Sequence, residues 1–400
     1  MRLFLFIEII LFCFDLIPNQ CIIKGGLCLN RILSIKRSGI MHKRLYIPGP
    51  VEVSEDVLAQ MSKPMIGHRT KDATKLQQDI SEKLQKVMGT KNTIVLSTSS
   101  GSGLMEGAVR SFTKTRAAVF SIGAFGKRWH KMCTSNGIAA DLFESELGHI
   151  TTPEMIESAL STGKYDLITI TQNETSTGIH NPMKELSEVY KKYPDVIVCV
   201  DTVSSMAGDL IPVDELGIDV CITSTQKCLG LPPGMAIASV SEKALKKAET
   251  VENRGLYFDY LELVKFVKEK PFQYPSTPSL SHMYALDYQF DKILAEGVEK
   301  RYERHCRLAS IVWDWAKENN LEIYSDPEHL SVTVTCITNN TGIPFSEINK
   351  KMGEKGYLMS NGYGPLKDKT FRIAHMADTT EEELKAMLKD LSDTLNELKA

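Results

Sequence analysis

Two residues in the stretch Val196–Gly234 could do chemistry together, Asp201 and Lys227. Val196-Ile197-Val198-Cys199-Val200 is a wholly apolar, β-branched run that ends on Asp201, the pattern of a strand buried on both faces of a parallel sheet. Ile218 to Thr223 is a second such run, and it delivers Ser224-Thr225-Gln226-Lys227 into a turn rich in Gly and Pro. Sites in open α/β sheets lie beyond the carboxyl ends of strands, so the carboxylate and the amine are expected side by side in that crevice. An amine there can form a Schiff base with an aldehyde cofactor. A pyridine-based aldehyde then needs a carboxylate opposite its ring nitrogen to stay protonated as an electron sink. The plainer alternative makes Asp201 a turn cap and Lys227 a solvated loop cation, so the neighbouring elements must decide.

Strands alternate with helices from Thr93 to Ser239, which implies a mostly parallel sheet with right-handed crossovers. Thr93-Ile94-Val95-Leu96 reads as a strand, followed by Ser97-Thr98-Ser99-Ser100-Gly101-Ser102-Gly103 and a helix from Leu104 to Phe112. Small hydroxyl and glycine residues at a helix start offer free N–H groups and a positive dipole end, which together hold a phosphate. The spacing of Gly101, Gly103 and Gly107 is not the dinucleotide fingerprint, and no Gly-Lys-Ser/Thr follows. The strand Ala117 to Ile122 leads into Gly123-Ala124-Phe125-Gly126-Lys127-Arg128-Trp129, where Phe125 could lie flat on a planar cofactor or pack in the core. Asp166 to Thr171 ends at the polar cluster Gln172-Asn173-Glu174-Thr175-Ser176-Thr177-Gly178. Four consecutive strand exits therefore carry polar or aromatic clusters toward one crevice.

Upstream, Leu45-Tyr46-Ile47-Pro48-Gly49-Pro50 is an extended segment closed by a turn, Ser54 is placed to cap a short helix, and His68-Arg69 could face an anionic substrate or stand solvated. Downstream, Tyr274 and Thr277 lie in an irregular stretch, and a long helical connection runs from about Ser281 to Asn320. Leu330 to Ile337 alternates as a strand, with Val332, Val334 and Cys336 on one face. Thr380 with Glu383 makes a capping box for a last helix striped by Leu384, Leu388, Leu391, Leu395 and Leu398. Arg372, between apolar residues on a short strand, would point at a carboxylate or else form a surface salt bridge. These elements make a second, smaller α+β domain.

The chain of 400 residues carries 47 basic and 50 acidic side chains without a long block of one sign, which argues against nucleic acid or an anionic membrane as partner. Nine cysteines are scattered without a CxxC pair or a metal-ligand spacing, so reduced core thiols in a cytoplasmic setting are expected, and no metal. Leu3 to Ile17 is nearly all apolar but interrupted by Glu8 and Asp15, and a basic stretch follows to Arg37. Three readings fit it: an upstream extension not translated in the cell, an organelle-targeting peptide, or a secretory signal. The expected organisation is an extension over 1–40, an N-terminal arm over 41–65, a large cofactor-binding domain over 66–285 and a small C-terminal domain over 286–400.

The assembled pattern resembles the class V aminotransferases, in particular alanine–glyoxylate, serine–pyruvate and archaeal broad-specificity members. The resemblance runs from about Tyr46 onward and is densest at Ile47-Pro48-Gly49-Pro50, Gly67-His68-Arg69, Asn173 to Gly178, Asp201-Thr202-Val203-Ser204-Ser205, Ser224-Thr225-Gln226-Lys227 and Pro232-Pro233-Gly234. It implies the fold type I of enzymes that use pyridoxal 5′-phosphate: an α/β large domain with a mostly parallel seven-stranded sheet flanked by helices, and a small α+β domain. It implies Lys227 as the Schiff-base lysine and catalytic base, and Asp201 as partner of the pyridinium. Ser102, Gly103 and Gln226 would hold the phosphate, Thr175 the ring hydroxyl, and Val203 one ring face opposite Phe125. Many relatives carry tryptophan at the position of Phe125. A homodimer with shared sites would bring Tyr274 and Thr277 to the partner's phosphate, and Arg372 would bind the substrate α-carboxylate.

The implied reaction moves an amino group from alanine or serine to glyoxylate or pyruvate by a ping-pong course. The runner-up is a phosphoserine aminotransferase, because His68-Arg69 is similar to a pair that family uses for the substrate phosphate. A cysteine desulfurase fits less well, since Gln226 stands where that family has histidine before the lysine. A nucleotide-dependent oxidoreductase lacks its fingerprint. A non-catalytic subunit of the same fold would tolerate loss of Lys227 or Asp201, and both are present.

Overall fold

The computed structural model describes residues 42–399. The expectations for 1–40 lie outside the described residues. Seven strands form the main sheet: β2 (Thr93–Ser97), β3 (Ala117–Ser121), β4 (Ala140–Glu144), β5 (Leu167–Thr171), β8 (Ile197–Asp201), β9 (Val220–Ser224) and β10 (Ala236–Val240), numbered with β1 (Arg44–Tyr46) and the hairpin β6 (Asn173–Glu174) and β7 (Ile179–His180). Their order is β2-β10-β9-β8-β5-β3-β4. Only β10 runs antiparallel to its neighbours, so the sheet is mostly parallel, as expected from the alternation of elements.

Alternation along each strand explains why these runs are mostly apolar. Ile94 and Leu96 join one core with Ala118, Phe120, Ile168, Ile170, Val198 and Val200. Val95 joins the opposite core with Val119, Leu167, Ile197, Cys199, Val220 and Ile222. Side chains point alternately to the two faces and both faces are covered, so both sets are mainly apolar, with small hydroxyls such as Thr169, Thr223 and Ser239 buried among them.

The same topology aims strand exits at one edge. β5, β8 and β9 are mutually parallel, with Thr171 opposite Asp201 and Asp201 opposite Ile222. Two successive reversals through β10 return β2 to the direction of β9, pairing Ala236 with both Ser97 and Ser224. The carboxyl ends of β2, β3, β5, β8 and β9 consequently share an edge.

A second sheet of five strands has the order β1-β13-β14-β12-β11, with β11 (Glu322–Ile323), β12 (Val334–Thr338), β13 (Tyr357–Asn361) and β14 (Thr370–Ala374). The alternating run begins as strand at Val334 rather than at Leu330, though Val332, Val334 and Cys336 are all buried. Strand β1 comes from the start of the described chain and adds in parallel to β13. It is fixed there by the buried Tyr46, whose hydroxyl donates to the Glu383 carbonyl at 2.9 Å, and by an Arg44–Glu383 ion pair of 2.6 Å. From Lys43 onward the chain forms one compact unit that holds both sheets.

The long helical connection is two helices, Leu280–Glu296 and Val298–Glu318, parted at Gly297, whose φ of 88° lies in the region glycine favours. Ser54 stands at the N-cap of the helix Glu55–Gln60, but its hydroxyl accepts no bond from that helix and receives Lys292 Nζ at 3.2 Å instead. The last helix, Glu381–Lys399, starts with the expected capping box: Thr380 N donates to Glu383 Oε2 at 3.1 Å, and Glu383 N donates to Thr380 Oγ1 at 3.3 Å. Its Leu384, Leu388, Leu391 and Leu395 are buried against Phe371 and Ile373, each contributing about 1.5–3 kcal/mol through loss of apolar surface from water.

Candidate active site

At the common edge lies a cavity of about 260 Å³, lined by Ser102, Phe125, Thr175, Asp201, Val203, Gln226 and Lys227 among others. Seven of the residues singled out in the sequence are thus brought together. Asp201 closes β8, is 5 % exposed, and accepts from Val203 N at 2.9 Å. Burial pushes its carboxyl up to about 6 and the nearby Glu174 adds to the rise, while the Val203 N–H, Lys227 and Arg128 oppose it. Lys227 follows β9 by three residues. Burial pulls its amine down to about 8, and Arg372 and Arg128 push the same way, against Asp201. An amine with that pKa releases and accepts a proton near neutral pH, which an ordinary lysine does not.

The segment before the cavity shapes the lysine. Lys227 Nζ donates to the Pro48 carbonyl, and Val51 N donates to the Gln226 carbonyl at 3.1 Å. Gly49, at φ 118°, lies so near that a Cβ there would stand 2.7 Å from Lys227 Cδ and Cε and 2.9 Å from Nζ. Only glycine satisfies both the backbone angle and the close approach.

At the cavity's other end the helix Gly101–Phe112 begins, with Ser100 at its N-cap and no side chain closing its first N–H groups. A Cβ on Gly101 would meet Val203 Cγ2 at 2.7 Å. Gly103 does not line the cavity; a Cβ there would strike the Phe258 ring at 2.7 Å. Gln226 Oε1 accepts from Ser224 Oγ at 2.5 Å, which anchors the amide beside the cavity. Arg128, unassigned from sequence, also lines the cavity, donates to Ser102 Oγ at 3.3 Å and lies 4.8 Å from the Phe125 ring centroid. The signal was available: Arg128 follows Phe125 by three positions, so both share a helix face.

Phe125 is held from behind. The buried Glu174 carboxylate accepts from Phe125 N at 2.8 Å, Gly126 N at 3.3 Å, Ser176 N at 3.1 Å and Ser176 Oγ at 2.6 Å, closing the start of the helix Ala124–Ser135. Burial raises its pKa, while these donors favour the ion. Asn173, also lining the cavity, donates to Ser204 Oγ at 2.8 Å and to Thr333 Oγ1 at 3.1 Å.

Arg372 is 6 % exposed on β14 and is no surface salt bridge. Its Nε donates to Asn361 O at 3.0 Å, Nη1 to Thr175 O at 3.0 Å and Nη2 to Ser360 Oγ at 2.9 Å. A guanidinium carries five N–H groups, so two remain. Its bonded partners are all neutral, and among the described residues no carboxylate lies within ion-pair distance. A buried cation without a counter-ion is costly, and the two spare donors match a carboxylate brought from outside.

His68 is half-buried and Arg69 exposed, both outside the cavity; Arg69 Nη1 donates to Gln273 Oε1 at 3.4 Å. Tyr274 is buried in the core with its hydroxyl unpartnered among the described residues, and Thr277 is exposed. The 68–69 and 273–277 stretches therefore touch one another and not the cavity of their own chain.

A family model described as Aminotransferase class-V matches residues 51–387. The chain belongs to that family. It is 39 % identical over 363 residues to an uncharacterized aminotransferase of Methanocaldococcus jannaschii, covering 89 % of this chain and 93 % of the relative. It is 31 % identical over 353 residues to the serine–glyoxylate aminotransferase of Arabidopsis thaliana, covering 85 % and 87 %. The crystal structure of ureidoglycine–glyoxylate aminotransferase from Bacillus subtilis superposes with a TM-score of 0.85 at 26 % identity, covering 91 % and 96 %.

This class-V aminotransferase is a transaminase whose cofactor is pyridoxal phosphate. The donor set fits that group: a buried carboxylate and a low-pKa amine in one cavity, an uncapped helix start with an arginine beside it, and a Gly49 cradle that any side chain would fill. Among the described residues no cluster of His, Cys, Asp and Glu is placed for a metal, and no helix is long and apolar enough to cross a membrane.

Proposed function

We propose that this class-V enzyme transfers the amino group of a small amino acid, alanine or serine, to glyoxylate or pyruvate. The observation that carries the reading is the buried Arg372, which is not itself in the cavity lining but keeps two spare N–H groups and is bonded to Thr175 in the wall of a cavity of about 260 Å³. Ligand pockets commonly measure about 300–1,000 Å³, so once a cofactor is seated little room is left for a substrate side chain.

Bound pyridoxal phosphate supplies an aldehyde that condenses with amines and a protonated pyridine that takes up electron density from Cα. Asp201 would hold the proton on that pyridine nitrogen, with Thr175 and Val203 orienting the ring. The helix start at Gly101 and Ser102, which line the cavity, with Gln226 and Arg128, would hold the phosphate, and Gly103, turned to the Phe258 ring, would not. Arg372 binds the substrate carboxylate and so orients the Cα–H toward Lys227. Lys227, once its amine is free, takes that proton and returns it on the other side of the exchange; a pKa of about 8 suits both directions.

The reading includes a homodimer. The stretches at 68–69 and 273–277 meet one another away from their own cavity, as they would if each served the site of a second copy.

A panel of alanine, serine, aspartate and phosphoserine against glyoxylate, pyruvate and 2-oxoglutarate tests the substrates. Highest kcat/KM for alanine or serine with glyoxylate or pyruvate is expected. Preference for phosphoserine with 2-oxoglutarate would replace this reading with the phosphoserine one.

A further inference from the structure

Tyr363 is an aromatic residue that neither the cavity lining nor the family pattern assigns to the site. It stands on the turn between β13 and β14 and is 40 % exposed. Its ring stacks on Phe125, with centroids 5.7 Å apart and planes at 27°, while the Arg372 guanidinium lies 5.6 Å from its centroid. One ring thus bridges a cavity wall from the large sheet and the buried cation from the small one. Flat aromatic contact of this kind stabilises beyond burial alone and holds a surface ring in place.

We propose that Tyr363 is a specificity-determining residue that sets the upper length of the substrate side chain. The proposal rests on the reading that Arg372 binds the α-carboxylate. The two N–H groups left on Arg372 are in the plane of a guanidinium that packs against this ring, and the reacting Cα must sit between that guanidinium and Lys227. The substituent on Cα would then project toward the stacked Tyr363–Phe125 pair. Each methylene forced against a fixed wall changes discrimination by about 10–200-fold, so a held ring excludes longer chains more sharply than it weakens short ones.

The test compares wild type, Tyr363→Ala and Tyr363→Phe as holoenzymes on alanine, 2-aminobutyrate and norvaline. Tyr363→Ala is expected to raise kcat/KM for norvaline relative to alanine at least about tenfold, and Tyr363→Phe to keep the wild-type ratio. A ratio unchanged in Tyr363→Ala overturns the proposal. A second readout needs no turnover: the thermal shift of cofactor-free protein by acetate, propionate, butyrate and valerate. Wild type should lose the shift as the chain lengthens, and Tyr363→Ala should hold it. If wild type responds to all lengths alike, the Tyr363 proposal alone fails. If it binds no carboxylate at all, while Arg372→Gln behaves identically, the Arg372 reading falls and takes this one with it.

Discussion

A helix beside the seven-stranded sheet and a strand of the five-stranded sheet each carry an arginine of the proposed site, and the two are held differently. Arg128 is half-buried, keeps one bond to Ser102 Oγ and rests on the Phe125 ring. Arg372 is buried and fixed by three bonds to neutral acceptors. A loosely held cation beside a helix start suits an anion that brings several oxygens and its own strong field. A rigid one with two donors left over suits a planar carboxylate that must be oriented. In the proposed reading the large sheet offers charge and proton chemistry, and the small sheet offers geometry.

That division can be broken most directly at its centre. Lys227→Ala should abolish the visible absorbance of the purified holoenzyme and lower kcat by about 10⁴-fold or more, since both the covalent attachment and the proton transfer go with one amine; retention of turnover would sink the assignment. Arg372→Gln should lower kcat/KM by about 10²–10³-fold while leaving cofactor affinity within about twofold, measured by absorbance titration. If affinity for the cofactor fell equally, the small sheet would be holding the cofactor and the contrast would be lost. Arg128→Gln should do the reverse, weakening pyridoxal phosphate by about 10–100-fold but pyridoxal hardly at all. Equal loss for both would mean that Arg128 acts only through the Phe125 ring.

A fourth effect concerns stability. Burial raises the folded pKa of Asp201 from 3.8 to about 6, so the folded cofactor-free protein binds more protons than the unfolded chain across that window. Its stability should fall as pH rises through it. Cofactor-free Asp201→Asn should then be more stable than wild type at pH 7 by about 3 kcal/mol, with the difference vanishing below about pH 4. Urea unfolding at several pH values checks this; a variant less stable at every pH would show that Asp201 is structural rather than poised. Smallest, Thr380→Ala should cost about 1 kcal/mol by opening the capping box of the last helix, with kcat/KM unchanged, because that helix serves the small sheet's core and not the site.

How far the chain could be read follows the same division. Asp201, Lys227, Ser102, Thr175 and Phe125 were legible because each sits within a few residues of the end of an apolar run, and runs of that kind terminate at one edge. Thr380 and Glu383 were legible because a capping box is local. Ser54 had the cap residue without the Glu three positions on, and its hydroxyl meets Lys292, distant in sequence, instead of its own helix. Arg128 stands as one charge in a helical stretch, and Glu174 as one polar residue among seven, and nothing local marks the partner of either. Their partners, Ser102 and the Phe125 N–H, lie 26 and 49 residues away.

By itself, then, the sequence determined the order of strands and helices, the two-faced burial of the main sheet and the placing of an acid and an amine at neighbouring strand ends. Those follow from periodicity and from short-range spacing. Only the tertiary structure decided that Arg44–Tyr46 would close the C-terminal sheet, that Arg372 would be buried with two donors to spare, and that Tyr363 would reach Phe125. Each of these depends on segments far apart along the chain meeting across a packed surface, and no local pattern records which surfaces will meet.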